Sequence, residues 1–258
     1  MTVATRPGLD PRIRARRIEV RRGVGRRRLR RLTWLAVVVG MVLVGAGMTQ
    51  TPLLAVHKIE IDGTAHLTAT QIRRTAGLRT GRPMIAVSSV TITHRLEALP
   101  WVAKATVHRH WPGTITVSIT ERQPAGQVQA GSNWLVVDLA GRVLEVRPAP
   151  AAQLAPIAWS GPRAGPGATI TVSAPALRLS AAIPVDLRAS VAAVFQDTQG
   201  LGVQLRDGAT IRIGSATALR DKLVAASTVL TSKMAKCADV IDVEVPNAPT
   251  LTARSGCA

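Results

Sequence analysis

Residues 96–124 read LEALPWVAKATVHRHWPGTITVSITERQP. Local signals divide this stretch. Pro100 closes a helical spacing that runs through Ile92, Leu96 and Leu99, because proline lacks an N–H and clashes with the preceding turn. Val102 to His110 reads as a strand. Trp111-Pro112-Gly113-Thr114 reads as a turn, since adjacent proline and glycine punctuate regular structure. From Ile115 to Arg122 the pattern alternates, with Ile115, Val117 and Ile119 on one side and Thr116, Ser118 and Thr120 on the other. One face of this hairpin is therefore buried and the other is wet.

Working toward the N-terminus, Ser88 or Ser89 is placed to cap the helix that ends at Pro100, and a loop from Arg79 to Pro83 precedes it. Before the loop lies a second short helix. Thr68 is its N-cap, Gln71 completes a capping box, and Leu67 and Ile72 have the spacing of a hydrophobic staple. Gly77 is placed to end it in a left-handed conformation. Val56 to Gly63 reads as a strand with Ile59 and Ile61 on one face. The order is thus strand, helix, helix, strand, strand.

Further back, Leu32 to Val56 is 25 residues without an ionisable side chain. As a helix it extends about 37 Å at ~1.5 Å per residue, enough for a hydrocarbon core of roughly 30 Å. Residues 1–31 hold 12 Arg against Asp10 and Glu19, a net charge of +10 out of +18 for the chain. A basic flank stays in the cytoplasm, so the N-terminus is expected inside and the C-terminal bulk outside. Trp34 has the position of an interfacial aromatic, and Ala36 and Gly40 form a small-xxx-small pair. The competing reading is a cleaved twin-arginine export signal, built on Arg30-Arg31 and the small residues Gly45-Ala46-Gly47. The apolar run exceeds the roughly 7–15 residues of such a signal, and no clear A-x-A site follows. The arginine tail is expected to lie on anionic lipid. It carries no aromatic residue and no DNA-binding motif, which argues against nucleic acid.

Beyond the alternating hairpin, Trp134–Asp138 and Arg142–Val146 read as strands around Ala140-Gly141, followed by an irregular Pro/Gly/Ala-rich connection over 147–169. Ala176–Ala182 reads as a short helix and Val185–Ser190 as a turn. Strands are expected at Val191–Asp197, Val203–Arg206 and Thr210–Ile213, with Asp207-Gly208 as a tight turn. Ala216–Met234 is the longest helix outside the apolar stretch, presenting Leu219, Leu223, Ala226 and Leu230 on one face. Val240–Val245 and a short segment around Leu251 complete an α+β chain whose second part is mostly antiparallel.

The strand-helix-helix-strand-strand order, together with Leu96-x-x-Leu99-Pro100-Trp101-Val102, Ala105-x-Val107-x-Arg109-x-Trp111-Pro112 and Val117-x-Ile119-x-Glu121-Arg122-x-Pro124, resembles a polypeptide-transport-associated (POTRA) domain. More narrowly it resembles that of the FtsQ/DivIB family of bacterial cell-division proteins. The resemblance implies five parts: a basic cytoplasmic tail (1–31), a transmembrane helix (32–56), a POTRA domain (57–124), an FtsQ-type β domain (125–253) and a C-terminal tail (254–258). It implies a single-pass inner-membrane scaffold at the division septum. Such a scaffold binds division proteins similar to FtsB and FtsL, and FtsW/FtsI-type septal synthases. Ile241-Asp242-Val243-Glu244-Val245-Pro246 looks like the family's late strand, where hydrophobic-Asp-x-Arg is more usual. Val243, Glu244, Val245 and Leu251 are the expected partner-binding residues, by strand addition at an exposed edge; ordinary core is the other reading of the apolar three. An edge of the POTRA sheet is the second expected docking surface. A POTRA module serving protein export is the further alternative, and it would be expected in several copies ahead of a barrel.

Two cysteines are present, Cys237 and Cys257. If the last two strands form a hairpin centred on Asn247, Val243 faces Leu251 and Cys237 faces Cys257. A disulfide there is permitted outside the cytoplasm, although facing alone does not make the bond, and two free thiols are the other reading.

No catalytic motif emerges. His108 and His110 share one strand face, but closed metal sites take about four ligands and no others are evident. His57, His66 and His94 stand apart, and no G-x-S-x-G, P-loop or G-x-G-x-x-G occurs. Neither enzyme, cofactor nor metal site is expected.

Overall fold

The computed structural model describes residues 30–44, 47, 54–232 and 237–254. Residues 30–44 form helix α1, whose apolar side chains are exposed all round, among them Leu35 at 62 % and Met41 at 72 %. Among the described residues no helix is long and apolar enough to cross a membrane. Most of the arginine tail and most of positions 45–53 of the apolar stretch lie outside the described residues.

The elements of the strand-helix-helix-strand-strand portion form where their local signals place them. Strand β1 is Lys58–Asp62. Helix α2, Ala69–Ala76, starts on Thr68, whose side chain accepts from the Gln71 N–H, and ends on Gly77 at φ 66°. The Gly77 and Leu78 N–H groups turn back onto the Arg74 and Arg73 carbonyls, satisfying groups a helix end leaves open. Helix α3, Ser89–Glu97, buries Ile92 and Leu96. Strands β2, Val102–His110, and β3, Thr114–Glu121, follow. The three strands form one sheet in the order β1-β3-β2. Ile115, Val117 and Ile119 are buried, as their alternation requires.

The remaining strands build a single nine-stranded sheet. They are β4, Pro124–Ala130; β5, Asn133–Asp138; β6, Val143–Arg147; β7, Pro156–Ile157; β8, Val191–Asp197; β9, Gly200–Leu205; β10, Thr210–Gly214; β11, Ala238–Asp242; and β12, Thr250–Ala253. Their order is β12-β11-β10-β9-β8-β7-β4-β5-β6. Most pairs are antiparallel, but β10 with β11, β4 with β7 and β7 with β8 are parallel. Helix α4, Ala174–Ala182, packs on β4, β7 and β8; after the single turn α5, Val185–Arg188, helix α6, Leu219–Thr231, packs on β10 and β11.

Strand β4 has no counterpart among the sequence expectations. Ala125, Gly126, Gln127 and Val128 are consecutively buried, so no alternation marks it. Gln127 shows why. Its amide donates to the Ala151 and Leu154 carbonyls at 2.9 and 2.7 Å and accepts from the Ala151 N–H at 2.7 Å. The connection after β6 is thereby held against β4, and a buried polar side chain is fully paired.

The chain divides into two compact units. One comprises 1–59, 79–88 and 109–115; the other comprises 60–78, 89–108 and 116–258.

Candidate functional site: an open sheet edge

Strand β11 is interior. Just past its end the Val243 N–H bonds the Arg212 carbonyl on the β10 side at 3.0 Å, and on the other side Val240 and Asp242 pair with Thr252 and Thr250 of β12. The edge is β12. The Arg254 N–H bonds the Cys237 carbonyl at 2.7 Å. Successive peptide groups of a strand point opposite ways, so Thr250 and Thr252 also bond inward while Leu251 and Ala253 turn their N–H and C=O outward. Thr250, Thr252 and Ala253 are exposed, and Leu251 is half-buried against the core. Such an edge is a template for another chain.

The expected partner residues separate accordingly. Val243 is fully buried, so it is core and its backbone is committed. Glu244 and Val245 lie beyond the end of β11, exposed, and the Glu244 N–H is taken by Asp242 Oδ1 at 2.9 Å. Of the four, Leu251 alone lies on the edge strand. The register also differs from expectation. Ile241, not Val243, faces Leu251, and Cys237 lies opposite Arg254, not Cys257. A turn closed by the Ala248 N–H on the Val245 carbonyl centres the hairpin one residue earlier, and a bulge between Ala238 and Val240 shifts it again. Cys237 is disulfide-bonded. Cys257 lies outside the described residues.

The edge is carried by a well-braced sheet. Lys222 is 3 % exposed, and its Nζ donates to the Ile213 and Ser215 carbonyls at 3.0 Å and to Ser215 Oγ at 3.2 Å. Helix α6 begins after Ala218, in the left-handed region at φ 49° with no side-chain cap. Lys222 ties that uncapped start to the end of β10, which is β11's other neighbour. Sequence offered no sign of this: a lone lysine on a helix reads as solvent-facing.

Two adjacent residues join the end of β3 to its surroundings. Glu121 accepts N–H bonds from Ala65, His66 and Leu67 and a 2.8 Å contact from His66 Nδ1, and the His66 ring stacks on Trp101 at 4.0 Å. Burial alone would push the Glu121 carboxyl up, but these bonds to His66, Ala65 and Leu67 outweigh it and hold the group below its ordinary value. Arg122 donates through Nε to the Val102 carbonyl and through Nη1 to Asp138 Oδ2.

A cleft of about 350 Å³ opens between α5, α6 and the end of β9. Asp186, Asp207, Ser190, Ser227 and Thr231 line it with three leucines, and no histidine is among them. Among the described residues no group of three or more His, Cys, Asp or Glu could hold a metal ion.

Comparison with known proteins places this geometry. Residues 54–122 match the family model described as a POTRA domain, FtsQ-type. The cell division protein FtsQ of Streptomyces bingchenggensis is 31 % identical over 243 residues, covering 88 % of this chain and 89 % of the relative. The protein of the same name from Corynebacterium glutamicum is 29 % identical over 202 residues, covering 76 % and 90 %. That of Mycolicibacterium smegmatis is 26 % identical over 227 residues, covering 87 % and 66 %.

Proposed function

This chain belongs to the FtsQ family of cell division proteins, and from that premise we propose that it is a membrane-anchored, non-enzymatic scaffold of the division machinery. The observation that carries the reading is the open β12 edge at the end of a large, internally braced sheet. An extended segment of another division membrane protein, of the FtsB or FtsL kind, adds to that edge as a tenth strand. Main-chain bonds to Leu251 and Ala253 supply affinity, and the alternating exposed side chains of Thr250 and Thr252 supply selectivity. Septal synthases of the FtsW/FtsI type are gathered through those partners, and the assembly is held at the septum.

The anchor lies within the uncharged stretch Leu32–Val56, before Ala55 and Val56 enter the folded domain, and it is entered from a +10 tail that stays in the cytoplasm on anionic lipid. The exposed apolar surface of α1 supports it, since such side chains without protein neighbours suit lipid.

Ala253→Pro is the direct test, because it removes an outward N–H and leaves the inward ladder to β11 intact. Capture of an FtsB-like partner by the full-length chain in detergent is expected to be lost, with the melting temperature unchanged. Undiminished capture by a folded A253P chain would refute strand addition.

A further inference from the structure

The compact unit containing 54–59, 79–88 and 109–115 gathers one end of the POTRA domain. The Val56 N–H and C=O bond the Arg82 carbonyl and the Gly81 N–H, each at 2.8 Å, and Ala55 bridges Pro83. The His57 N–H bonds the Gly113 carbonyl at 2.8 Å. A Cβ on Gly113 would meet the Ala55 carbonyl oxygen at 2.7 Å, so the Trp111-Pro112-Gly113 turn presses on the chain where it leaves the apolar stretch. Two loops thus ring the last residues of the expected membrane span.

The chemistry of that ring is one-sided. Lys58, Arg79, Arg82 and Arg109 are its charged residues, and the three segments contain no Asp or Glu. All four are exposed. Between them stand two large exposed apolar side chains, Trp111 at 56 % and Ile85 at 63 %. Tryptophan favours the headgroup level of a bilayer, and arginine stems lie along apolar surface with the guanidinium on phosphate.

We infer that this end of the POTRA domain is a membrane-contact foot: Trp111 and Ile85 enter the outer interface, and Arg79, Arg82 and Arg109 meet anionic phospholipid headgroups. It rests on the anchor reading above, because Ala55 and Val56, bonded within the foot, directly follow the uncharged stretch and bring the foot within a few residues of the lipid. It differs from the contact of the N-terminal arginine tail, which lies on the opposite leaflet. Its consequence is mechanical. A unit held at its foot loses freedom of tilt against the bilayer.

The test uses the full chain in vesicles of phosphatidylcholine and phosphatidylglycerol brominated near the headgroup, with tryptophan emission as the readout. Of the five tryptophans, Trp34 and Trp111 are the two placed to meet lipid. Trp111→Phe is expected to remove about half of the bromolipid-dependent quenching. An Arg79→Glu, Arg82→Glu chain is expected to show the same reduction with an unchanged circular dichroism spectrum. Quenching as strong in W111F as in the wild type overturns the inference, and so does full Trp111 quenching in purely zwitterionic vesicles, which would exclude anionic headgroups as the partner. Resistance to alkaline carbonate separates the two readings. A carbonate-resistant chain without a Trp111 component sinks the foot alone; a chain stripped by carbonate sinks the anchor and the foot with it.

Discussion

Arg122 Nη1 donates to Asp138 Oδ2 at 2.9 Å, tying the residue that follows β3 to the end of β5. The aspartate is deeply placed, with its side chain 8 % exposed, and its other oxygen accepts from the Ala140 and Arg142 N–H groups at 2.9 Å. The arginine side chain, 25 % exposed, also holds the Val102 carbonyl. One ion pair therefore links the end of the β2–β3 hairpin to the β5–β6 turn of the large sheet.

Removing one partner leaves a buried charge unpaired, which costs more than the pair contributes. Arg122→Ala is expected to destabilise the chain by about 2 kcal/mol, below the roughly 3–5 kcal/mol of fully buried pairs because the arginine is partly solvated. Arg122→Lys is expected to recover only part of this, since it keeps the charge without the second directed donor. Urea unfolding of both variants measures the difference, and a neutral Arg122→Ala would refute the role.

Glu121 makes stability depend on acid. Its folded-state value is depressed by the bonds from the loop 65–67, after burial has been overcome. The stabilisation is therefore complete above the unfolded carboxylate value and is lost as pH falls through the lower, folded one. Glu121→Gln is expected to cost about 1–2 kcal/mol at neutral pH. The gap between variant and wild type should close as pH falls through the depressed folded-state value. Urea midpoints across that range would show it, and a gap that widened on acidification would reverse the sign.

Lys222 braces the interior side of the edge-bearing sheet. Lys222→Met keeps the stem but strips the three hydrogen bonds to the Ile213 and Ser215 carbonyls and to Ser215 Oγ. A loss of about 2 kcal/mol is expected, together with faster hydrogen exchange in β10 and α6. Unchanged exchange there would mean that the lysine is not the brace.

Cys237 carries a disulfide, and Cys257 is the chain's only other cysteine. Iodoacetamide is expected to leave the unreduced monomer's mass unchanged and to add two adducts after reduction. A bond closing this segment contributes about 3 kcal/mol on the chain-entropy model, so Cys237→Ser should lower the melting temperature under oxidising conditions. A labelled unreduced chain would exclude the bond in solution.

The POTRA portion was legible because its signals are local. Thr68 with Gln71, Gly77, Pro100 and the alternation of Ile115, Val117 and Ile119 each act within a few residues, and all stand where expected. The composition of Leu32–Val56 and its arginine flank is likewise a property of sequence alone. The large sheet was legible only in parts. Strand β4 is covered on both faces and lost its period, and β7 is two residues long.

What sequence by itself determined is the family, the order of most elements and the identity of the faces that turn inward. Tertiary structure alone decided which strand is the edge. A two-residue slip of β11 against β12 keeps every side chain on its own face, so alternation cannot distinguish one register from the next. Closure of the Val245–Ala248 turn, the bulge at Ala238 and the parallel docking of β11 on β10 selected the register. They buried Val243 in the core and left Leu251 and Ala253 to face outward.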